Sequence, residues 1–538
     1  MNENDFSKEF NIGNNRTTIV TLMEGGAPHI LECNDSENLL QMLRRHKIYM
    51  NAACGGRGTC GKCKVQVVAG DIDISSSDRA TFSQEQLQKG FRLACTAYPR
   101  SDCTINLIAD PEDDFEVVAE HSLVKITSAE NNRLEKECVP KYGIAIDIGT
   151  TTLAVSLINR IDRNTIFTYT AVNRQRAYGA DVIGRIQASN QGQSDILQKI
   201  IQQDLLDGIK QVIEKSGIEK EQVSGLVMAG NTTMTHLLLG YSCKTLGSYP
   251  FIPVNIDMIT LSFQEVFDSS YLNNTVIILP GISTFIGGDI VAGLLVNDFD
   301  KAVKPNLFLD LGTNGEMAVG NKDKILVTST AAGPAFEGGN ISCGVGSIPG
   351  AISNIALEEN KLQYSTIGHK APIGICGTGV IEAVSEFFKT GIVDETGLLA
   401  GCYFEDGYQV ATDENGNAIT LIQKDIREIQ MAKAAVRAGI EILIRRYGIS
   451  FEDIGSVFLA GGFGYKMNIG KAIHIGLLPV ELSDKIEIVG NSSLGGAVKF
   501  LLEEGASDRM KQIIRKSSEI HLSKDEDFND LYIGYLNF

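Results

Sequence analysis

Four cysteines near the N-terminus constrain this 538-residue chain more than any other feature of its sequence. The first three lie in one short glycine-rich loop, and the fourth follows in a later Leu-Ala-Cys-Thr segment. They are Cys54, Cys60, Cys63 and Cys95. Four thiolates can hold a [2Fe–2S] cluster, and the glycines of the loop permit the positive φ angles that turn backbone N–H groups toward sulfur. The sequence therefore predicts a cluster, with electron transfer as part of the function.

Two simpler interpretations of these cysteines are a zinc site and a set of buried thiols without a cofactor. Zinc ribbons usually carry two close pairs of cysteines. This loop instead carries three cysteines in a glycine-rich wrap, with a single distant fourth. The spacing therefore favours the iron–sulfur cluster.

The charge of the chain limits its partners. The formal net charge is −18 and no basic block offsets it. Such a surface repels nucleic acid and anionic membranes, so we expect neither as a partner. The first residues lack the basic and apolar regions of a signal peptide, and no apolar stretch has membrane-spanning length. The remaining cysteines are widely spaced, which is typical of reduced thiols, and we expect a cytoplasmic protein.

The N-terminal part has the pattern of a small β/α unit. A strand is predicted over 18–22 and a helix from about Ser36, because Leu39, Leu40 and Leu43 share one helical face. Another strand is predicted over 64–68, after the cysteine loop. This order is that of a small β-grasp [2Fe–2S] ferredoxin-like domain, which we assign to residues 1–109.

The composition changes twice after this domain. Residues 110–140 are polar and acidic and are predicted to form a linker, with one strand near 123–126. From 141 onward, buried strands alternate with helices and glycine-rich turns, which is typical of layered α/β domains. The best-defined helix is predicted over 426–445, with Asp425 and Glu428 as its capping box.

Two segments in this α/β part resemble each other. Each is an apolar strand followed by Asp-X-Gly-Thr and a second apolar strand, which predicts a hairpin with polar groups at its tip. The acid of each can hold Mg²⁺ directly or through water, and the tip can donate N–H and O–H groups to phosphate. Ordinary hairpin turns are the alternative, but the recurrence of the pattern favours phosphate binding. The candidate residues are Asp147, Gly149, Thr150, Thr151 and Thr152 in the first segment, and Asp310, Gly312, Thr313, Asn314 and Gly315 in the second.

A third glycine-rich element, containing Gly461 and Gly462, follows a predicted strand. Together the three elements resemble the phosphate-1, phosphate-2 and adenosine motifs of the ASKHA superfamily (acetate and sugar kinases, Hsp70 and actin). The resemblance implies that ATP and Mg²⁺ bind between two RNase-H-like halves. We assign these halves to residues 141–300 and 301–538, the second half carrying the adenosine motif.

The same resemblance suggests further site residues. Asp289 stands where glycerol-kinase-like members carry a catalytic carboxylate, which could orient or deprotonate the attacking water; the alternative is that it only caps a helix. Gly377 and Gly379 suggest a second backbone approach to the ligand, or else a close-packed turn. Lys433 lies where Hsp70-type proteins contact ribose and adenine. The Gly230–His236 segment is either part of the cleft or structural.

Over nearly its whole length the chain resembles the reductive activators of corrinoid proteins. The motifs that carry this resemblance are the cysteine loop, Asp147-Ile-Gly-Thr-Thr-Thr, Val227-Met-Ala-Gly-Asn-Thr-Thr-Met, Leu309-Asp-Leu-Gly-Thr-Asn-Gly-Glu, Ala332-Gly-Pro-Ala-Phe-Glu, Ile375-Cys-Gly-Thr-Gly and Leu459-Ala-Gly-Gly-Phe-Gly. The resemblance implies an ATP-dependent enzyme that passes one electron from its cluster to the inactive Co(II) corrinoid of a methyl-carrier protein and so restores Co(I). An external low-potential donor would reduce the cluster.

Some members of this family carry an extra domain between the ferredoxin-like and ATPase parts, where this chain has only the linker 110–140. Dimer contacts made by that extra domain therefore do not apply to this chain. The sequence leaves open whether the protein forms a homodimer. Two other functions are compatible with the same parts. One is ATP-dependent electron donation to another low-potential metalloenzyme, and the other is a small-molecule kinase that senses redox state. A binding or filament-forming module is a further, non-enzymatic alternative.

Overall fold

The structure is a computed structural model that describes residues 17–24, 27–52, 54–108, 141–358, 361–464 and 467–538. By their contacts the residues form two units. Among the described residues, the first holds those up to 108 together with 175–180, and the second holds 141–174 and 181–538. The whole predicted linker, residues 110–140 with its strand near 123–126, lies outside the described residues.

The first unit contains one five-stranded sheet in the order β2-β1-β5-β3-β4. Its strands are β1 (Thr17–Glu24), β2 (Ala27–Asn34), β3 (Lys64–Ala69), β4 (Phe91–Leu93) and β5 (Cys103–Leu107). The central pair β1 and β5 is parallel, and the other pairs are antiparallel. Its helices are α1 (Leu39–Arg45), α2 (Ser76–Thr81) and α3 (Gln84–Gln88). A mixed sheet with α1 against it is the predicted β-grasp arrangement.

The sequence prediction missed β2 and began the first helix too early. The first four residues of β2 are exposed and only Leu31 and Cys33 turn inward, so the strand has little of the alternation that a sequence pattern reveals. The helix begins at Leu39, because Asn38 is its N-cap: the Asn38 side chain accepts a hydrogen bond from the Gln41 amide over 2.9 Å.

The second unit contains two six-stranded sheets that repeat one plan. The first has the order β10-β11-β9-β6-β7-β8 and the second β21-β20-β12-β13-β14-β22. The strands of the first sheet are β6 (Tyr142–Ile148), β7 (Thr152–Asn159), β8 (Asn164–Val172), β9 (Val223–Gly230), β10 (Ile259–Ser262) and β11 (Thr275–Ile278). Those of the second are β12 (Asn306–Leu311), β13 (Gly315–Gly320), β14 (Ile325–Thr330), β20 (Val457–Ala460), β21 (Ile486–Gly490) and β22 (Ser517–Glu519).

In both sheets three antiparallel strands are followed by two that run parallel to the first. Counted along the chain within each half, these five strands stand in the order 3-2-1-4-5, which is that of an RNase-H-like half. Two smaller sheets complete the second unit: β15 (Ala351–Glu358), β16 (Lys361–Thr366) and β17 (Gly374–Ile375) form one, and β18 (Tyr408–Thr412) and β19 (Ala418–Leu421) form the other.

The helices of the second unit cover these sheets. They are α4 (Val182–Ala188), α5 (Ser194–Ser216), α6 (Thr232–Leu239), α7 (Phe263–Phe267), α8 (Gly288–Val296), α9 (Gly377–Thr390), α10 (Gln423–Tyr447), α11 (Gly461–Gly464), α12 (Ile469–His474), α13 (Ser492–Leu502), α14 (Ala506–Lys516) and α15 (Phe528–Gly534). One apolar core includes the inner faces of α9, α10 and the second sheet, and another includes α8 and α13. Among the described residues, none of the helices combines the length and apolarity that a membrane crossing requires.

The prediction that Asp425 and Glu428 form the capping box of α10 is wrong. The helix begins at Gln423, so Asp425 lies in its first turn instead of preceding it. The Asp425 carboxylate accepts hydrogen bonds from the Ile422 amide over 2.9 Å and from the Ser342 amide over 2.8 Å. Ser342 is distant in sequence, so this partner of Asp425 cannot be inferred from local spacing.

Candidate functional site

The four predicted cluster ligands lie together in the first unit as two pairs. Cys60 lies within hydrogen-bonding reach of Cys54, and Cys95 within that of Cys63. Gly55, Gly56, Gly58 and Gly61 all have positive φ angles, between 67° and 94°. The loop therefore adopts the conformation that its glycines permit and other residues resist.

Backbone N–H groups point at these sulfurs, as a cluster site requires. Cys54 accepts from the amides of Gly56 and Thr59 in addition to the Cys60 thiol, and these hydrogen bonds lower the pKa of Cys54 to about 3. A thiolate is thus already favoured at this position. The Gly58 amide donates toward Cys95.

Two thiol pairs with amide donors fit a [2Fe–2S] cluster, in which each of two irons takes two of the four cysteines. Within the part of the chain that the structure describes, no three acidic, cysteine or histidine side chains converge as ligands of a single ion would. The pairing thus differs from a mononuclear zinc site, which draws four ligands to one point.

The first phosphate hairpin of the second unit is the turn between β6 and β7. Asp147 lies near the end of β6, and a Cβ atom built on Gly149 would approach the Thr152 carbonyl oxygen to 2.5 Å, so only glycine fits the turn. The Asn231 amide donates a hydrogen bond of 2.9 Å to the Thr150 hydroxyl. The Gly230–His236 segment therefore contacts the tip of the first phosphate hairpin. The sequence alone had left open whether this segment belongs to the site.

Two side chains from the start of α13 hold the Asp147 carboxylate. Asn491 donates to Oδ2 over 2.8 Å, and the Ser493 hydroxyl donates to Oδ1 over 2.6 Å. Burial raises the pKa of Asp147 in spite of these two hydrogen bonds. The carboxylate is fixed in orientation by residues from the opposite end of the sequence.

The second phosphate hairpin is the turn between β12 and β13. Asp310 and Glu316 are direct partners in this antiparallel pair. At the tip, the Thr313 hydroxyl donates to Glu337 over 2.9 Å. A Cβ atom on Gly461 would lie 2.7 Å from Oδ1 of Asp310, so the predicted adenosine motif lies directly against the second phosphate motif.

Asp289 lies in the first turn of α8, whose N-cap is Gly287, so the interpretation of Asp289 as an N-cap is wrong. Its Oδ1 accepts from the Ile290 amide over 2.9 Å. Burial, together with the charge of Asp147, raises the pKa of Asp289 to about 7. A carboxyl group that titrates near neutral pH is suited to take a proton from water.

The acidic side chains of the two hairpins and α8 influence one another. Burial and the charges of Asp289 and Asp147 raise the pKa of Asp310 to about 7. Burial and the charges of Asp289 and Asp310 raise the pKa of Glu316 well above its usual range. Like charges raise the pKa of a carboxyl group only when they lie nearby, so these acids lie in one region of the second unit.

The other predicted residues divide into two groups. A Cβ atom placed on Gly462 would meet no atom of the described residues within 4 Å, which leaves room for a ligand on that side. Gly377 and Gly379 instead pack against backbone, since a Cβ atom would lie 1.6 Å from the Phe336 carbonyl oxygen and 2.2 Å from that of Ile352 respectively. Gly315 packs against Thr330. The close-packed turn is therefore present at residues 377–379, and ligand contact there stays a prediction.

Lys433 contacts the C-terminal end of the chain. Its ammonium group donates to the Asn537 carbonyl and lies 5.0 Å from the ring centroid of Phe538. The side chain is almost fully buried, and burial lowers its pKa to about 8. The structure gives Lys433 a partner at the C-terminal end of the chain, and its predicted contact with nucleotide stays a prediction.

Sequence reasoning missed four residues at this site. Asn491 and Ser493 hold Asp147, while Glu316 and Glu337 line the second hairpin. Glu316 and Glu337 do stand within motifs that the sequence displays. Asn491 and Ser493 stand at the start of α13, directly after a strand, and Asn231 stands in the same way at the start of α6. This shared strand–Asn–helix pattern is the sequence feature from which Asn491 and Ser493 could have been predicted.

The fold and these two sets of side chains define a class of protein in which a [2Fe–2S] cluster domain and an ASKHA domain share one chain. Family models agree. A 2Fe–2S iron–sulfur cluster binding domain matches residues 22–100, the middle region of RACo matches 142–302, and the C-terminal ASKHA domain of RACo matches 304–538.

The chain belongs to the family of reductive activators of corrinoid proteins. It is 32% identical to the corrinoid activation enzyme RamQ of Eubacterium limosum, over 90% of this chain and 93% of that protein. It is 28% identical to the [Co(II) methylated amine-specific corrinoid protein] reductase of Methanosarcina barkeri, over 74% and 77% of the two chains. A solved reductive activator for corrinoid, iron–sulfur protein superposes with a TM-score of 0.67, at 29% identity and over 97% and 98% of the chains. The predicted family and fold class are confirmed.

Proposed function

We propose that this chain is an ATP-dependent reductive activator, which passes one electron to the Co(II) corrinoid of a methyl-carrier protein and so regenerates Co(I). Two relatives support the target, because one is named a corrinoid activation enzyme and the other a reductase of a Co(II) corrinoid protein. An external low-potential protein would supply the electrons. The free thiols of the described cysteines accord with a cytoplasmic reaction.

The observation that supports the ATP dependence is that buried acids of the two phosphate-type hairpins and α8 act on one another: the charge of Asp147 raises the pKa of Asp289, and the charges of both raise that of Asp310. Three partly desolvated carboxylates with raised pKa values repel each other, and a divalent cation with its nucleotide would relieve that repulsion. An ordinary structural core has no need for such a group.

Each part of the nucleotide site has a proposed task. The hairpin tips would donate N–H and O–H groups to the phosphates; they contain Gly149, Thr150, Thr151 and Thr152, and Gly312, Thr313, Asn314 and Gly315. Asp147 and Asp310 would hold Mg²⁺, which usually takes one or two carboxylates and completes its shell with phosphate oxygens and water.

The remaining site residues would position the nucleotide and the attacking water. Asp289 would orient or deprotonate that water, since its pKa lies near 7. Gly461 and Gly462 would admit the adenosine. Gly377 and Gly379 would bring backbone close to the ligand.

In the first unit, the thiolates of Cys54, Cys60, Cys63 and Cys95 would hold the cluster, which supplies a single low-potential electron. A plant-type cluster lies at about −400 mV, and we expect the Co(II)/Co(I) couple to lie lower, so the transfer is uphill. A coupling of about 1–3 kcal/mol between two sites shifts a one-electron potential by about 45–130 mV, at 59 mV per tenfold change. ATP would supply such a coupling.

We propose that the nucleotide acts on the complex with the corrinoid protein. Closure of the ATP site would favour a corrinoid whose axial ligand is weakened, which raises the cobalt potential. Hydrolysis would then release the partner. In this scheme the ATP-site residues control protein–protein contact and phosphorylate nothing.

The test is to mix dithionite-reduced protein with a Co(II) corrinoid carrier protein and to follow the Co(I) absorption band with and without Mg-ATP. We expect Co(I) only when nucleotide is present. Asp289→Asn keeps the shape of the side chain but removes its basic oxygen, so it should block release of the partner and give no more than about one Co(I) per protein. Equal Co(I) formation with and without ATP would contradict the proposal. Phosphate transfer to a small molecule would favour the kinase alternative.

A further inference from the structure

Six residues that follow β8 in the chain, 175–180, belong by their contacts to the first unit, although the chain on both sides belongs to the second. We call residues 175–180 the inserted segment. Gln175, Ala177 and Tyr178 are almost fully buried, at 0%, 1% and 6% exposure. Most of the inserted segment is therefore buried, unlike an exposed surface loop.

The inserted segment holds the side chain of Arg44, which projects from α1. The Arg44 guanidinium donates to the Ala177 carbonyl, and its central carbon lies 4.4 Å from the ring centroid of Tyr178. A cation over an aromatic ring is attracted by the ring quadrupole. The Nε atom of Arg44 is buried and has no hydrogen-bond partner among the described residues. The position of this cation thus depends on Ala177 and Tyr178.

Arg44 and the inserted segment both lie beside the cluster ligands. The guanidinium interacts electrostatically with the thiols of Cys63, Cys95 and Cys54. A Cβ atom built on Gly55, the residue after Cys54, would lie 3.2 Å from the Tyr178 carbonyl oxygen. Reduction adds one negative charge to a cluster that four thiolates already make anionic. A cation in this position therefore favours the reduced state and raises the reduction potential.

The residues that flank the inserted segment hold the first phosphate hairpin within the second unit. Asn173 donates from its backbone amide to the Thr151 carbonyl over 2.9 Å and from its side chain to the Gly149 carbonyl over 3.0 Å. Arg185 donates to the Thr150 carbonyl. Both Asn173 and Arg185 are fully buried. The carbonyls of Gly149, Thr150 and Thr151, which are successive in the hairpin tip, thus accept hydrogen bonds from residues on either side of the inserted segment.

We propose that the inserted segment makes the reduction potential of the cluster depend on nucleotide binding, with Arg44 as the positioning residue that carries the effect. This inference rests on the proposed function, because it needs both the cluster and the nucleotide. When phosphate binds, the N–H groups of the hairpin tip rotate toward it. Each peptide unit is planar, so the carbonyls that Asn173 and Arg185 hold rotate together with these N–H groups. The inserted segment then loosens its hold on Arg44, the cation withdraws from the thiolates, and the potential falls.

Linkage makes this coupling reciprocal. If nucleotide lowers the potential, the oxidised protein must bind nucleotide more tightly than the reduced protein by the matching factor. A tenfold preference corresponds to about 59 mV for a one-electron couple. The two measurements, potential and affinity, therefore check each other.

The test is a potentiometric titration of the cluster-loaded protein, followed by visible absorption and by EPR of the reduced form. It is run with and without Mg²⁺ and a non-hydrolysable ATP analogue. We expect the analogue to lower the wild-type potential by the equivalent of about a tenfold change, 59 mV. Equal potentials in the two titrations would overturn the inference, and this comparison needs no variant.

Variants identify the residues that carry the effect. Arg44→Met should lower the potential without nucleotide and abolish the response to the analogue, whereas Arg45→Met should change neither, because Arg45 pairs with Glu37. Tyr178→Ala should act like Arg44→Met in weaker form, and Tyr178→Phe should behave as wild type because the ring remains. An unchanged potential in Arg44→Met would overturn the role of Arg44.

Failure of this inference and failure of the proposed function give different results. Iron content and calorimetric binding of the analogue are measured on the same samples. Protein that binds both cluster and analogue, reduces Co(II) in the presence of ATP, and yet shows one potential throughout would overturn only the inference. Protein that binds neither, after careful anaerobic reconstitution, would overturn both.

Discussion

Ser493 donates a hydrogen bond of 2.6 Å to Oδ1 of Asp147, although the two residues lie 346 positions apart in the chain. With Asn491 on the other carboxylate oxygen, it fixes the acid of the first phosphate hairpin from the start of α13. The geometry of the proposed magnesium site thus depends on the last part of the second unit as much as on the hairpin itself.

Ser493→Ala should lower ATP turnover without affecting the cluster. A hydrogen bond to a charged group contributes about 1.5–3 kcal/mol, so a loss of roughly tenfold or more in kcat/KM is expected at 1.36 kcal/mol per tenfold. Phosphate release and the visible spectrum are measured on one preparation. The matched control is Ser492→Ala, because the Ser492 hydroxyl is buried without a hydrogen-bond partner among the described residues. Equal losses in both variants would contradict a specific role for Ser493.

Cys60→Ser should abolish the visible absorption of the cluster and its iron content while nucleotide binding remains, because the thiol pair with Cys54 is lost and the second unit is untouched. Iron analysis and calorimetry with an ATP analogue check the two halves of this expectation. Cys33→Ala is the control, since Cys33 is buried in the same unit but is not a ligand in our assignment. Full iron content in Cys60→Ser would refute the ligand set.

Asn231 has two separable tasks, and two substitutions distinguish them. Its Oδ1 caps α6 by accepting from the Met234 amide over 2.9 Å, and its amide nitrogen donates to Thr150 over 2.9 Å. Asn231→Ser keeps a capping oxygen but loses the reach to Thr150, so it should raise KM for ATP with little change in stability. Asn231→Ala should in addition cost about 1 kcal/mol of unfolding free energy. Urea denaturation and steady-state kinetics give the two readouts; an unchanged KM in both variants would argue against the contact with Thr150.

His236 should make the second unit sensitive to acid. Its Nδ1 lies 2.8 Å from the Thr232 carbonyl, its Nε2 accepts from the Val254 amide over 2.9 Å, and burial lowers its pKa below 6.5. Below about pH 6.5 the unfolded chain therefore binds a proton that the folded chain does not, and stability falls as pH falls.

The measurement is the urea midpoint at pH 7.5 and at pH 5.5, for wild type and His236→Gln. Other groups titrate in both proteins, so the difference between them isolates His236. We expect the wild type to lose more stability on acidification, by up to about 1.4 kcal/mol, because pH 5.5 lies about one unit below the ordinary histidine pKa. A variant that loses as much as the wild type would show that His236 does not carry the effect.

Lys433→Met tests whether Lys433 serves the nucleotide or the C-terminal end of the chain. The observed contacts with Asn537 and Phe538 predict a loss of about 1.5–3 kcal/mol in stability, because a hydrogen bond from a charged group is lost. They also predict an unchanged affinity for ATP. Thermal unfolding and calorimetric titration separate the outcomes. A large drop in ATP affinity at unchanged stability would instead support the predicted contact with ribose or adenine.

Local sequence patterns were sufficient where the chemistry is local. The cysteine loop, the two Asp-X-Gly-Thr hairpins and the glycine-rich turn at Gly461 each show spacing that only a few backbone conformations satisfy, so their residues could be named in advance. The strand β2 and the start of α10 could not be placed in the same way. Six of the eight residues of β2 are exposed, and α10 begins where Asp425 meets a residue from a distant part of the chain.

The two kinds of chemistry and the order of the parts can be inferred from the amino-acid sequence, because thiol spacing and glycine-dependent turns are properties of short segments. Which groups act on those segments became visible only in the folded chain: Ser493 on Asp147, Glu316 beside Asp310, and the inserted segment on Arg44. These pairs form because sheet order and helix packing bring distant side chains to the same place, and no periodicity within a segment encodes that.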